Sequence, residues 1–299
     1  MIRPIIALAF LASACATREN AEAVNQQPRL IATVSGFETP ESVRYDAARD
    51  VFYVSNVTGN PQAKDNNGFI SRVRADGTMD SLRFIAGGVN GVTLHSPKGM
   101  VLANDTLWVA DIDAVRAFNV TSGVSLFTVE FPDALLLNDI TRAPDGTLYV
   151  SDTRLVFGDS VTHRSPDRIY RIAADRTISV AIENDTLGMP NGVLWDQEGQ
   201  RLLVIAIGQK RIFEWKLGDA GPRLIAEGPG GYDGIEPLGA GRFILSAQDD
   251  SSISILENGR VTKLIPGIAS PGDIGWDPAR RRVLVPLLAA NQVVIWQVP

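Results

Sequence analysis

The stretch MPNGVLWDQEGQRLLVIA, residues 189–206, runs from a Pro-Asn-Gly corner into a short apolar strand, through a polar turn, and into a second, more apolar strand. The same object recurs as TPESVRYDAARDVFYVSN from Thr39, SPKGMVLANDTLWVAD from Ser96, LLNDITRAPDGTLYVSD from Leu136, GYDGIEPLGAGRFILSA from Gly231 and SPGDIGWDPARRRVLVP from Ser270. Each copy joins two strands through a turn rich in Asp, Asn, Gly, Pro or Ala. Most copies are followed by a third alternating run, such as DRIYRIAADR, and a fourth, such as TISVAI. The unit is therefore a four-stranded antiparallel meander. Such units repeated in series every ~40–50 residues are the pattern of a β-propeller. The first-strand corners fall at Glu41, Lys98, Asn138, Asn191, Asp233 and Gly272, separated by 57, 40, 53, 42 and 39 residues. That spacing predicts an all-β, six-bladed propeller over residues 29–299. The last copy ends after three strands, and RLIATVSG before the first corner is left to supply the sixth blade's outer edge, which closes the ring. Two sandwich domains are the competing all-β arrangement, but the repeat crosses the midpoint without a linker.

The N-terminus is different in kind. Arg3 precedes the apolar run Ile5–Leu11 and the box LASAC, which ends at Cys15. This reads as a lipoprotein-type secretory signal over residues 1–14, with acylation of Cys15 and a polar tether over 15–28. The apolar run is well short of the ~20 residues a membrane span needs. The expected address is a bacterial cell envelope, lipid-anchored and facing the periplasm, at the outer membrane in preference to the inner. Cys15 is the only cysteine, so disulfides, thiolate zinc sites and cysteine nucleophiles are excluded from the folded domain. The net charge of −6 and scattered basic residues exclude a nucleic-acid-binding face. Arg280–Arg282 is read as a solvated turn.

In a propeller the innermost strands surround the axis, so equivalent corner residues face one another across the channel mouth. Glu41, Asn138, Asn191 and Asp233 then converge as two carboxylates and two amides. An oxygen set without sulfur or histidine suits a calcium-type ion, with Zn2+, Mn2+ or Mg2+ as the other candidates. Gly192 and Gly234, each following a corner residue, let the backbones pass closely.

With these residues in place the chain resembles the gluconolactonase and regucalcin (senescence marker protein) family of six-bladed propellers, relatives of the paraoxonases, from about Pro40 to the C-terminus. That family carries Glu at the first corner, Asn in Asn-Asp at the third, Asn in Pro-Asn-Gly at the fourth and Asp in Asp-Gly at the fifth. Glu41, Asn138 with Asp139, Asn191 within Pro190–Gly192, and Asp233 with Gly234 match in the corresponding blades. The resemblance implies one divalent cation on Glu41, Asn138, Asn191 and Asp233, and a hydrolase that polarises a lactone or ester carbonyl. Asp233, Asn138 and Lys98 are the candidates for catalytic roles, with Asp233, or a water it orients, as general base.

Two positions depart from the pattern. Sugar-lactone members carry an arginine two residues before the third-corner asparagine, where this chain has Leu136, so the expected substrate is a small lactone or ester and not a polyol. Lys98, at the second corner, either pairs with a nearby acid such as Asp139, binds an anionic substrate, replaces the metal, or lies along the channel rim. His95 and His163 are loop histidines, His163 within the insertion TRLVFGDSVTHRSPD of the third blade. That insertion and VTGNPQAKDNNG in the first blade exceed hairpin length and are expected to be lids. Ser246, Gln248 and Asp249 either line the channel or form a turn. Two other functions stay open. One is a non-catalytic platform, similar to NHL-repeat and YncE-like envelope propellers, with a protein partner at its rim. The other is a strictosidine-synthase-like propeller in which Lys98 stands in for the metal.

Overall fold

The computed structural model describes residues 27–299. The signal segment, the lipidation site Cys15 and most of the expected tether lie outside the described residues. A first strand, β1 (Arg29–Ser35), precedes five four-stranded antiparallel sheets. Blade 1 is β2 (Pro40–Asp46), β3 (Val51–Asn56), β4 (Phe69–Arg74) and β5 (Met79–Ala86). Blade 2 is β6 (Pro97–Ala103), β7 (Thr106–Asp111), β8 (Ala114–Asn119) and β9 (Ser125–Glu130). Blade 3 is β10 (Leu137–Arg142), β11 (Leu148–Asp152), β14 (Asp167–Ile172) and β15 (Ile178–Asn184), interrupted by a separate hairpin of β12 (Leu155–Phe157) and β13 (Val161–His163). Blade 4 is β16 (Pro190–Asp196), β17 (Arg201–Ala206), β18 (Arg211–Trp215) and β19 (Arg223–Glu227). Blade 5 is β20 (Tyr232–Gly239), β21 (Arg242–Ala247), β22 (Ser252–Glu257) and β23 (Arg260–Pro266). Blade 6 takes β24 (Gly275–Asp277), β25 (Arg282–Leu287) and β26 (Gln292–Gln297), with β1 as its fourth strand in the order β1-β26-β25-β24. The expected closure of the ring by the chain's two ends is what the structure has.

Apolar side chains from neighbouring blades fill the seams. Tyr53, Ile70 and Ile85 of blade 1 meet Met100, Leu107 and Phe118 of blade 2. The closing seam is made the same way, with Val43, Phe52 and Val54 against Leu284, Val293 and Ile295. Burial of these sheet faces is the main favourable contribution to the fold.

Five of the six corners that define the repeat are β-bulges. Pairing of the first two strands slips between Pro40 and Val43, Pro97 and Met100, Leu137 and Ile140, Pro190 and Val193, and Tyr232 and Ile235. Each slip brackets a corner residue and removes backbone groups from the ladder. Second-strand serines replace some of those bonds. Ser151 Oγ accepts from Asp139 N at 2.9 Å and donates to Asn191 O of the next blade at 2.5 Å, while Ser246 Oγ accepts from Gly234 N and donates to Gly272 O, both at 2.8 Å. Inner strands consequently pass very close. A Cβ on Gly192 would lie 2.4 Å from Asp233 O, and one on Gly272 would lie 2.4 Å from Glu41 O. Only glycine fits at these two approaches.

Candidate active site at the channel corners

The bulges aim the corner side chains inward, where they are almost completely buried. Exposure is 5% for Glu41, 3% for Lys98, 7% for Asn138, 2% for Asn191 and 3% for Asp233. Successive corners are joined by the serine bridges and glycine approaches, and Asp273 N donates to Glu41 O at 2.8 Å across the closing seam. Glu41 and Asp233, 192 positions apart in sequence, are near enough to act on each other's charge.

Four oxygens of this ring have no hydrogen-bond partner: Glu41 Oε2, Asn138 Oδ1, Asn191 Oδ1 and Asp233 Oδ1. A buried acceptor left unsatisfied costs about 1–3 kcal/mol, so four at aligned positions form a donor set prepared for something positive. All four are hard oxygens, the chemistry that suits a calcium-type ion. Among the described residues there is no group of three or more His, Cys, Asp or Glu side chains arranged to hold a metal. The corner set has only two carboxylates, and its other two donors are amides.

Asp233 is held in place from one side. Gln248 Nε2 donates to Asp233 Oδ2 at 2.7 Å and to Pro271 O at 3.2 Å, while Oδ1 has no partner. Ser246, which lies within β21 and not after it, and Gln248 thus both serve the corners. Asp249 instead packs behind the fifth corner, where a Cβ on Gly231 would lie 2.6 Å from its Oδ1.

Lys98 makes no ion pair among the described residues. Its Nζ donates to Ser96 Oγ at 2.9 Å, Ser96 O at 3.0 Å and Pro61 O at 3.3 Å, which uses all three N–H groups. Burial lowers its pKa, against the attraction of Glu41 and Asp111.

Sequence comparison of the corners missed a second layer of charge. Arg44, three residues past Glu41, is buried in the channel and pairs with Asp273 at 2.9 Å, Asp139 at 3.3 Å and Glu236. Asp139 and Asp273 directly follow corner residues, and Glu236 lies three past Asp233, so the signal was present at a fixed offset from the aligned position. Farther along the inner strands, a cavity of about 160 Å3 is lined by Arg44, Glu236, Val101, Ile140, Val193 and Ile235 among others. The channel thus holds four buried acids, Glu41, Asp139, Asp233 and Asp273, and the partly buried Glu236, against two cations, Lys98 and Arg44.

That imbalance shows in the protonation of every acid. Burial first, and then Asp233 and Asp273, push Glu41 well above the usual carboxylate range. Burial and Asp273 do the same to Asp233, with Gln248 opposing. Asp139 and Asp273 are also raised by burial, with Arg44 opposing in both cases, and Glu236 is pushed up to about 7. Surplus negative charge in a low-dielectric channel is relieved either by protons or by a bound cation.

The two expected lids differ in form. The blade 3 insertion is a regular hairpin, pairing Leu155 with His163 and Phe157 with Val161. His163 Nε2 lies 2.7 Å from Asp167 Oδ1, and the fully buried Asp167 also accepts from Gly188 N and Met189 N just before the fourth corner. The blade 1 insertion is an irregular loop over residues 57–68. His95 Nδ1 accepts from Asn66 N at 3.1 Å and so fastens the end of that loop.

The sequence pattern described as SMP-30/Gluconolactonase/LRE-like region matches residues 39–235. Among solved structures, a putative gluconolactonase is 19% identical over 91% of this chain and 91% of that chain, with a TM-score of 0.68. A gluconolactonase from Xanthomonas campestris is 16% identical over 93% of this chain and 96% of that chain, with a TM-score of 0.65. A luciferin-regenerating enzyme is 12% identical over 90% and 94%, with a TM-score of 0.68. At these identities the likeness is one of fold. No curated protein matches the chain.

Proposed function

Because this chain belongs to the SMP-30/gluconolactonase/LRE-like family, we propose that it hydrolyses a small lactone or ester at the corner ring, with one divalent cation of calcium type held by Glu41, Asn138, Asn191 and Asp233. The four stranded acceptor oxygens carry this reading. When bound, such an ion supplies Lewis acidity towards the carbonyl oxygen.

The chain's own residues do the rest. Gln248 fixes Asp233 through Oδ2, and the second lone-pair direction of Oδ1 is free to accept a proton from water. Burial and Asp273 raise Asp233 in the metal-free protein, and a cation on the corner oxygens would lower it again and favour the carboxylate form that a general base needs. The water oxygen bonds to the carbonyl carbon, its proton passes to Asp233 Oδ1, and the acyl–oxygen bond breaks. The ring or ester oxygen takes that proton back from Asp233 as it leaves, which gives the alcohol and the acid and restores the carboxylate. Asn138 and Asn191 would offer the ion their unpartnered amide oxygens, and Lys98 braces the second corner from Ser96. Leu136, 2% exposed, occupies the position at which sugar-lactone members carry an arginine, which favours a substrate other than a polyol.

Elemental analysis and a panel of lactones and aryl esters test the proposal. We expect about one divalent ion per chain, lost in Asn191→Ala. Asp233→Ala should lower kcat on the best substrate by roughly 10²–10⁴-fold. A folded wild type that holds no divalent ion and cleaves nothing in the panel would overturn the hydrolase reading in favour of a rim-binding platform.

A further inference from the structure

The loop 57–68 crosses from blade 1 over the second corner and reaches the hairpin of blade 3. On its way Lys64 pairs with Asp113 at 2.5 Å and Pro61 O accepts from Lys98 Nζ. At its far point the Gln62 amide acts as one more peptide on the free edge of β12. Gln62 Nε2 donates to Leu155 O at 2.9 Å, and Gln62 Oε1 accepts from Phe157 N at 2.6 Å. The same Nε2 donates to Leu135 O at 2.9 Å, three residues before the corner residue Asn138. One side chain from blade 1 thus ties together the hairpin and the approach to the third corner.

The hairpin's orientation follows from its pairing. Opposed residues share a face, so Leu155, Phe157, Val161 and His163 lie on one side and Val156 and Thr162 on the other. His163 bonds the fully buried Asp167, so the first of these faces meets the propeller at the His163 end, while Val161 nearer the tip is exposed. Leu155 and Phe157 are half-buried, yet they pack against none of the six inter-blade cores, and Leu136 is buried outside those cores as well. The Leu155 and Phe157 side chains contribute to none of the seams, and Gln62 ties their strand to Leu135, three residues before Asn138.

Resting on the hydrolase reading above, we propose that Gln62 is a specificity-determining positioning residue: it holds the blade 3 hairpin so that Leu155 and Phe157 form an apolar wall that receives an alkyl or aryl substituent of the lactone. A site of this kind gains affinity with each apolar carbon that it covers and nothing from sugar hydroxyls. A wall 1 Å out of place forfeits much of that gain.

The test pairs kinetics with amide hydrogen exchange. The probes are an unsubstituted five-membered lactone, the same ring with a six-carbon alkyl chain, and a polyol lactone. Wild type should favour the alkyl lactone over both others. In Gln62→Ala the alkyl-to-unsubstituted ratio of kcat/KM should fall roughly tenfold, mainly through a higher KM for the alkyl substrate. Gln62→Glu keeps the acceptor for Phe157 N but loses both donors, and should fall between the two. The Phe157 amide should lose protection in Gln62→Ala while inner-strand amides keep theirs, which shows that the variant is folded. An unchanged ratio in an active Gln62→Ala, or a wild type that prefers the polyol lactone, would overturn the proposal. A wild type that cleaves none of the three probes overturns the hydrolase reading itself, and retained Phe157 protection in the variant refutes the latch whatever the activity.

Discussion

Three residues along the inner strands separate Glu41 from Arg44 and Asp233 from Glu236, and over that short distance the channel changes how it holds buried acids. At the Arg44 level the guanidinium reaches Asp273, Asp139 and Glu236, and Ser42 Oγ adds a 2.5 Å bond to Asp273 Oδ2. At the corner level four buried oxygens have no donor, and the nearby ammonium of Lys98 is spent on Ser96 and Pro61. One layer carries its countercharge in the sequence, and under the function proposed above the other would take it from solution. An arginine fixed by three carboxylates cannot leave, so it suits structure. A cation held by exchangeable oxygens keeps positions for water and substrate, so it suits chemistry.

Removing the internal cation should have the largest effect. Arg44→Met leaves Asp139, Asp273 and Glu236 buried without their common partner, and breaking such a network typically costs about 3–5 kcal/mol. The denaturant midpoint should drop accordingly at pH 7. A variant as stable as wild type would show that the two layers do not differ in the way described. The corner level predicts the opposite sign. Without a divalent ion, Asp233→Asn removes a buried acid that burial and Asp273 already disfavour in its charged form, so stability at pH 7 should hold or rise. Calcium at about 100 times its Kd should stabilise wild type by about 2.7 kcal/mol. The asparagine variant should gain less than about 1 kcal/mol from the same addition. Equal gains would place the ion elsewhere.

The contrast between the layers also explains what the sequence could and could not tell. Six corners with one residue type per blade are legible because the repeat preserves its turn, its period-two strands and its spacing. The corner oxygens follow from propeller geometry alone. Arg44 and Glu236 were hidden by the bulge. Reading alternate residues from Glu41 sends Val43 towards the channel, yet the slip between Pro40 and Val43 turns Val43 into the seam and Arg44 inward. The same slip conceals Glu236 after Asp233. Gln62 was beyond reach for another reason. A glutamine in an irregular loop has no period to betray a partner 95 residues away, and only the folded ring brings it to Phe157.

Glu236 offers the finest division between the layers, because it belongs to Arg44 and touches no corner oxygen in the hydrogen bonds described. Burial, with Arg44 opposing, raises its pKa from 4.5 to about 7. A carboxyl with a raised native pKa binds its proton more tightly in the folded than in the unfolded chain. Its contribution to stability is therefore complete below 4.5 and is lost as the pH rises through about 7. Glu236→Gln should flatten the fall in stability across that window in metal-free protein, while the calcium-dependent gain at pH 7 stays within about 0.5 kcal/mol of the wild-type gain. Chemical denaturation at pH 4.5, 6 and 7.5, with and without calcium, measures both quantities. If the substitution abolishes the calcium gain as well, the acid below the ring and the oxygens within it are one coupled unit, and the division at Arg44 does not hold.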